Sequence, residues 1–376
     1  MKSSAGKSFN EELLSWFDRS HREMPWRHTG DPYKVLVSEI MLQQTRVATV
    51  VEYFQRWVER FPDVGALARA PEEEVLELWA GLGYYRRARN LHRAAGVILE
   101  EFGGEIPREV DALRSLPGVG PYTAGAVASI AFGAVEPLVD GNVNRVLTRL
   151  YRLEGDPGRG ETKKEIWRRA GEMVDGERPG DFNQALMELG SEICRPRSPD
   201  CEGCPVVQFC GAYQAGDPED YPDLPKRKEP KAMRGLSCVV WRRGEKREER
   251  EFLLRRRPAK GLLAGLWEFP AVEQDGGQWP SAGGLKALLL EVAGEGREVT
   301  PEGPVGTEVE HVFSHRRLRV RIFEWMIQDS WEIGSEGSES WRWVRASQLK
   351  EVAASALLKK IEQGWRQGTL LGQSSS

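Results

Sequence analysis

Long apolar runs are missing from this chain. No stretch approaches the ~20 residues of a membrane span, and the polar opening MKSSAGKSFN lacks the features of a signal peptide. A surplus of either charge is missing too. With 53 Lys and Arg against 57 Asp and Glu the net charge is −4, so a nucleic-acid partner has to be argued from local motifs. Cysteine is scarce, at five, and the count is odd. With nothing marking the chain as secreted, a disulfide framework fits poorly. Hydrophobic residues at 40% and charged residues at 29% exclude a disordered chain. What is left is a cytoplasmic or nucleoid protein of 376 residues, enough at ~150 residues per domain for two or three domains.

Four of the five cysteines crowd together as Cys194, Cys201, Cys204 and Cys210, spaced C-x6-C-x2-C-x5-C. Clustered thiolates in a reducing compartment usually hold a metal, either tetrahedral zinc or an iron–sulfur cluster. Zinc sites tend to come as two short pairs, and only Cys201 and Cys204 form one, so the spacing favours iron–sulfur. Cys238, in the apolar run Cys238-Val239-Val240-Trp241, reads as a small core residue.

The hydrophobic pattern divides the chain. From Phe9 to about Ala215 it is helical: Val47, Val50, Val51, Phe54, Trp57 and Val58 recur as one buried helix face requires. Further helices are predicted at Val75–Trp79, Ala88–Phe102, Tyr122–Phe132, Val143–Leu153, Ile166–Val174 and Phe182–Ile193, with glycine- and proline-rich breakers between them. No internal repeat is present. Prolines and the basic run Lys226-Arg227-Lys228-Glu229-Pro230-Lys231 then mark a linker, more simply a solvated charge run than a grip on DNA. Beyond it, Leu318, Val320 and Ile322 alternate with Arg319, Arg321 and Phe323 as a strand does; Cys238–Trp241, Phe252–Arg255 and Trp341–Val344 also read as strands. Gly284–Val292 and Ala356–Trp365 read as helices. The sequence therefore predicts a helical domain over 1–225, a linker over 226–234, an α+β domain over 235–370 and a frayed tail over 371–376.

Three features could carry chemistry. Leu116-Pro117-Gly118-Val119-Gly120-Pro121-Tyr122-Thr123-Ala124 is a glycine-rich hairpin before a helix start. Gly118 and Gly120 would let a phosphate approach the main chain, whose unpaired N–H groups grip DNA without reading sequence. Glu39 sits in the mostly apolar Val37-Ser38-Glu39-Ile40-Met41-Leu42, and Asp140 in Leu138-Val139-Asp140-Gly141-Asn142 at a helix start, where it could be an ordinary N-cap. Each carboxylate alone has a mundane reading. Their occurrence beside the hairpin and the cysteines points to function.

Together these segments resemble the helix–hairpin–helix DNA glycosylases, and within them the MutY-type adenine DNA glycosylases, over nearly the whole chain. Val-Asp-Gly-Asn-Val-Asn-Arg, Ser-Glu-Ile-Met-Leu-Gln-Gln-Thr, Gly-Leu-Gly-Tyr-Tyr-Arg-Arg-Ala, the hairpin and the cysteine spacing carry the resemblance. It implies an all-helical glycosylase domain, with a six-helix lobe at about 29–136 and an iron–sulfur lobe from 1–28 plus 137–225, followed by a Nudix-like α+β domain. It makes the four cysteines ligands of a [4Fe–4S] cluster and the substrate duplex DNA with adenine opposite 8-oxoguanine or G. The family is usually monomeric. Adenine leaves only when a ring nitrogen gains a proton, and the sugar left behind is cation-like, so one carboxyl group must donate while another stays ionised. By resemblance Glu39 protonates adenine at N7 and Asp140 stabilises the cation, by charge or by transient covalent attack, with Tyr122 and Asn142 beside them. Glu39 can do this near neutral pH only if apolar surroundings raise its pKa.

The same resemblance puts Arg27, Trp26 and Gln184 along the adenine pocket, although some relatives carry glutamate at the last position. It makes Gln44 and Tyr84 the groups that wedge into the base stack; packing at a helix start is the plainer reading of Tyr84 and Tyr85. Relatives that also cut the strand carry lysine where this chain has Tyr122, which cannot form a Schiff base, so a monofunctional enzyme is expected. In the second half, Gly265-Leu266-Trp267-Glu268-Phe269-Pro270 looks Nudix-like, but the acidic magnesium-binding helix is missing after Pro270. Phe313-Ser314-His315 matches the family's loop for 8-oxoguanine, whose N7–H is a donor where guanine has an acceptor. Two other readings are a non-catalytic iron–sulfur DNA-binding protein and an oxidised-pyrimidine glycosylase with lyase activity.

Overall fold

The computed structural model describes residues 8–225, 229–244, 249–293, 298–305, 308–327 and 340–373. Twelve α-helices come first among them: α1 Phe9–Ser20, α2 Pro32–Leu42, α3 Val47–Arg60, α4 Val64–Arg69, α5 Glu72–Leu78, α6 Arg86–Glu101, α7 Val110–Ser115, α8 Pro121–Phe132, α9 Gly141–Tyr151, α10 Gly160–Met173, α11 Pro179–Glu192 and α12 Gly211–Ala215. Then follow β1 Lys231–Arg243, β2 Arg250–Arg256, β3 Trp267–Glu268, β4 Ala271–Asp275, α13 Ala282–Ala293, β5 Val309–Val312, β6 Arg316–Ile327, β7 Trp341–Arg345 and α14 Ala356–Gln373. Among the described residues no helix is long and apolar enough to cross a membrane. The chain falls into two compact units that divide after residue 226, except that Leu76–Tyr85 belongs to the second.

In the first unit, local sequence sets where the helices begin. Ser8 and Glu11 form a capping box ahead of α1, Asp31 caps α2 before Pro32, and Asp140 caps α9. Helix α1 packs on α11, and Leu13, Phe17, Leu147, Ile166, Phe182 and Leu186 share one core with Leu138 and Val143. Helix α2 differs from its neighbours: seven consecutive residues, Val35 to Met41, are buried, Glu39 among them. A helix that is apolar all round threads a core, and its one carboxyl group goes with it.

The second unit is built on a mixed sheet in the order β3-β2-β1-β6-β5, with β4 pairing β1 and β7 pairing β2. β1 and β6 are parallel, and the other ladders are antiparallel. Alternation along β1 sends Leu236, Cys238 and Val240 to the core under α13, where Leu285, Leu288 and Leu289 meet them. Gly235 and Ser237 face the other way, towards Leu357, Leu358 and Ile361 of α14. Cys238 is fully buried there, as a core residue.

Two expected boundaries are corrected. The linker does not reach residue 234: β1 begins at Lys231, whose N–H donates to the His315 carbonyl at 2.9 Å and whose register with β6 starts at Lys231↔Arg316. Pairing with a distant strand overrides local composition here. The expected tail over 371–376 starts too early, because α14 continues to Gln373 with no proline to stop it. Lys226, Arg227 and Lys228 of the linker and Ser374–Ser376 lie outside the described residues.

Candidate active site

A cavity of about 870 Å³ opens in the first unit, within the ~300–1,000 Å³ typical of small-ligand sites. Trp26, Arg27, Glu39, Gln44, Tyr122, Asp140, Asn142 and Gln184, named from sequence on five separate segments, all line it.

Glu39 is 5% exposed, and its Oε2 accepts a hydrogen bond from the Tyr122 hydroxyl. Burial pushes its pKa up to about 7, against the Tyr122 hydrogen bond and the Arg27 charge, with Asp140 adding to the rise. The solvent-facing alternative for Glu39 is thereby removed. Burial raises the Tyr122 hydroxyl well above its ordinary value, so it donates as a neutral phenol. Its oxygen also lies 3.4 Å from Met187 Sδ.

Asp140 is both a cap and a site residue. Its Oδ1 accepts from the Val143 N–H at 2.7 Å and its Oδ2 from Asn142 Nδ2 at 3.0 Å. Burial raises its pKa, opposed by these donors and by the Arg145 charge. Asn142 is itself oriented, since its Oδ1 accepts from Arg145 Nη2 at 2.8 Å. Its backbone is approached so closely by Gly190 that a Cβ there would lie 2.6 Å from Asn142 Cβ. With both oxygens of Asp140 already accepting, Glu39 is the carboxyl group of the pair suited to carry a proton.

Arg27 and Trp26 form the wall in a way the sequence did not reveal. Arg27 Nη2 donates to Glu188 Oε2 at 2.8 Å, and Arg22 Nε donates to Glu188 Oε1 at 2.7 Å. Burial would raise the Glu188 pKa, but the two guanidinium groups overcome it and hold the carboxyl at about 2. Glu188 is therefore an ionised anchor. It was missed, although it lies four residues after Gln184 and so on the same face of α11. Trp26 is 6% exposed, edge-on to Phe54 at 5.3 Å. Gln184 Nε2 donates to the Gly180 carbonyl at 3.3 Å. Gln43, also missed, lines the cavity and donates to Thr123 Oγ1 at 3.3 Å.

The hairpin lies between α7 and α8. Gly118 adopts φ +82°, and a Cβ there would sit 2.6 Å from Asn90 Cβ, so only glycine fits. Gly120 precedes α8 as its N-cap, and nothing lies within 4 Å of where its Cβ would be. Two of the four cysteines meet Arg149 of α9: its Nη1 donates to Cys194 Sγ at 3.3 Å, and Cys210 Sγ donates to its carbonyl at 3.6 Å. None of the four is in a disulfide. Burial raises the Cys201 and Cys204 thiols; Cys194 and Cys210 push both further up, and Cys201 adds to the rise at Cys204. Main-chain N–H groups point at sulfur: Val206 to Cys204, and Tyr213 and Ala212 to Cys210. Among the described residues no three His, Cys, Asp or Glu side chains converge on a single-ion site.

Gln44 (φ 58°) and Tyr84 (φ 49°) are both exposed and both left-handed, a conformation non-glycine residues adopt at a cost. Tyr85 is buried and donates to the Ala354 carbonyl at 2.8 Å, which fits the packing role. In the second unit Phe313, Ser314 and His315 form the turn between β5 and β6. There the Ser314 hydroxyl lies 2.7 Å from the Tyr84 hydroxyl. Phe313 stands edge-on to His311, with ring centroids 4.5 Å apart.

Comparison with known proteins follows the same division. A family described as HhH-GPD superfamily base excision DNA repair protein matches residues 37–172, and the NUDIX domain family matches residues 226–363. An adenine DNA glycosylase of Homo sapiens is 37% identical over 98% of this chain and 76% of its own length. One from Schizosaccharomyces pombe is 35% identical over 93% of this chain and 87% of its own. Among solved structures, a thermostable thymine-DNA glycosylase aligns with a TM-score of 0.50 and 33% identity over 55% of this chain and 95% of that one.

Proposed function

The chain belongs to the adenine DNA glycosylases, enzymes of base-excision repair, and from that premise we propose that it removes adenine paired with 8-oxoguanine, and more slowly adenine paired with G. The observation that carries this reading is the buried Glu39, titrating at about 7 in the same cavity as Asp140. A proton donor is most effective when its pKa lies near the working pH. Glu39 delivers the proton to the purine ring of an extruded adenine, while Asp140, kept supplied with donors by Val143 and Asn142, faces the developing sugar cation. Arg27 and Trp26 shape the pocket wall, with Arg27 fixed by Glu188. Gln184 lies within reach of the base, and Gln44 and Tyr84 fill the gap it leaves. Gly118 and Gly120 hold the DNA backbone.

Tyr122 has no amine to attack the sugar, so the reaction stops at an abasic site. The test is a duplex with one A:8-oxoguanine pair. Strand cleavage at the adenine is expected only after alkali; intact strands after alkali would refute the function, and cleavage without alkali would refute the monofunctional assignment.

Phe313, Ser314 and His315 read the base opposite, with the Ser314 hydroxyl as the principal contact to the lesion's altered edge. Replacing all three with alanine is expected to equalise excision from A:8-oxoguanine and A:G duplexes. A surviving preference for the oxidised pair would place the reading elsewhere.

Cys194, Cys201, Cys204 and Cys210 hold a [4Fe–4S] cluster. The N–H groups directed at sulfur suit thiolate ligands. When bound, the cluster cross-links residues 194–210 and supplies a one-electron couple.

A further inference from the structure

We infer that Arg149 clamps the cysteine-bearing segment and holds a positive charge against its first sulfur, so that it sets the reduction potential of the iron–sulfur cluster. The inference rests on the cofactor reading above. Arg149 lies on α9 and is 2% exposed, one of the largest fully buried side chains. Its guanidinium donates to Cys194 Sγ at 3.3 Å, to the Arg195 carbonyl at 2.7 Å, to the Pro196 carbonyl at 3.1 Å and to the Tyr221 carbonyl at 3.1 Å. Cys194 is the first of these anchor points, and the other three cysteines lie between it and the last, Tyr221. A planar fork can tie the two ends of a segment together in this way, whereas an ammonium group cannot match its geometry.

The charge is the second half of the argument. Among the described residues no carboxylate lies within ion-pair distance of Arg149, and its oxygen partners are neutral carbonyls. A buried cation is costly without an anion. Cys194 Sγ is the one partner that becomes anionic, as a ligand of a cluster whose four thiolates make it a net anion. A fixed cation favours the more negative oxidation state of its neighbour. Removing it therefore moves the potential in the negative direction.

The experiment compares the holoenzyme with R149Q and R149K, reading iron content, iron release to a chelator, and the one-electron potential at an electrode. R149Q is expected to favour the reduced cluster at least tenfold less, a negative shift of about 59 mV or more for one electron. R149K should keep a potential near the parent's yet release iron several-fold faster, because the charge survives and the fork does not. A variant that fails to load in cells is reconstituted with iron and sulfide before measurement. A fully loaded R149Q with the parent's potential overturns the inference, as does an R149K as resistant to the chelator as the parent. A parent protein without iron would instead overturn the cofactor reading.

Discussion

Glu39→Gln will lower adenine excision by ~10²–10⁴-fold, the range that a positioned general acid contributes, while leaving duplex binding intact. The amide is uncharged and of similar size, so it fits a site that already holds the group largely desolvated. It cannot surrender a proton to the leaving base. The sign of the pH dependence follows from the raised pKa. Below about 7 the native carboxyl group carries its proton and the single-turnover rate should be level; above it the rate should fall about tenfold per pH unit as that form is lost. The variant should lack this descending limb. An enzyme whose rate climbs between pH 6 and 8, or a glutamine variant within tenfold of the parent, would remove Glu39 from the chemistry.

Asp140→Asn should cost ~10²–10³-fold in single-turnover rate, comparable to losing a preorganised electrostatic group, with little change in melting temperature. Asparagine caps helices about as well as aspartate, so α9 should still begin at Gly141. The charge is withdrawn while the cap is kept. The new side chain also creates a local conflict. One end of it must present NH₂ either to the Val143 N–H or to Asn142 Nδ2, and Asn142 cannot turn over freely because its carbonyl is bound by Arg145. A variant with parental rate would make Asp140 a cap and nothing more. A variant that melts early would assign the loss to architecture, and the two measurements together separate these cases.

Much of this was legible in the sequence because its signals are local. The apolar run around Glu39, the glycine hairpin, the aspartate ahead of Gly141 and the cysteine spacing are each written in consecutive residues. The helices named from periodicity are present, although α10 begins six residues before the expected Ile166 and α14 runs eight residues past the expected Trp365. What was not legible depends on distance along the chain. Glu188 gives no sign in its own segment that Arg22 and Arg27, more than 160 residues earlier, will hold it ionised. Strands β4 and β5 are short and carry polar residues, and they exist because β1 and β6 offer them partners. The Tyr84–Ser314 hydrogen bond spans 230 residues, and nothing local to Gly-Leu-Gly-Tyr-Tyr announces that Leu76–Tyr85 will join the second unit.

The parallel pairing of β1 with β6 has a mechanical corollary. The first ladder bond after the chain leaves the helical unit runs from the Lys231 N–H to the carbonyl of His315, the last residue of the 313–315 turn. Removing that donor with Lys231→Pro is therefore expected to loosen the 313–315 turn without changing any of its three residues.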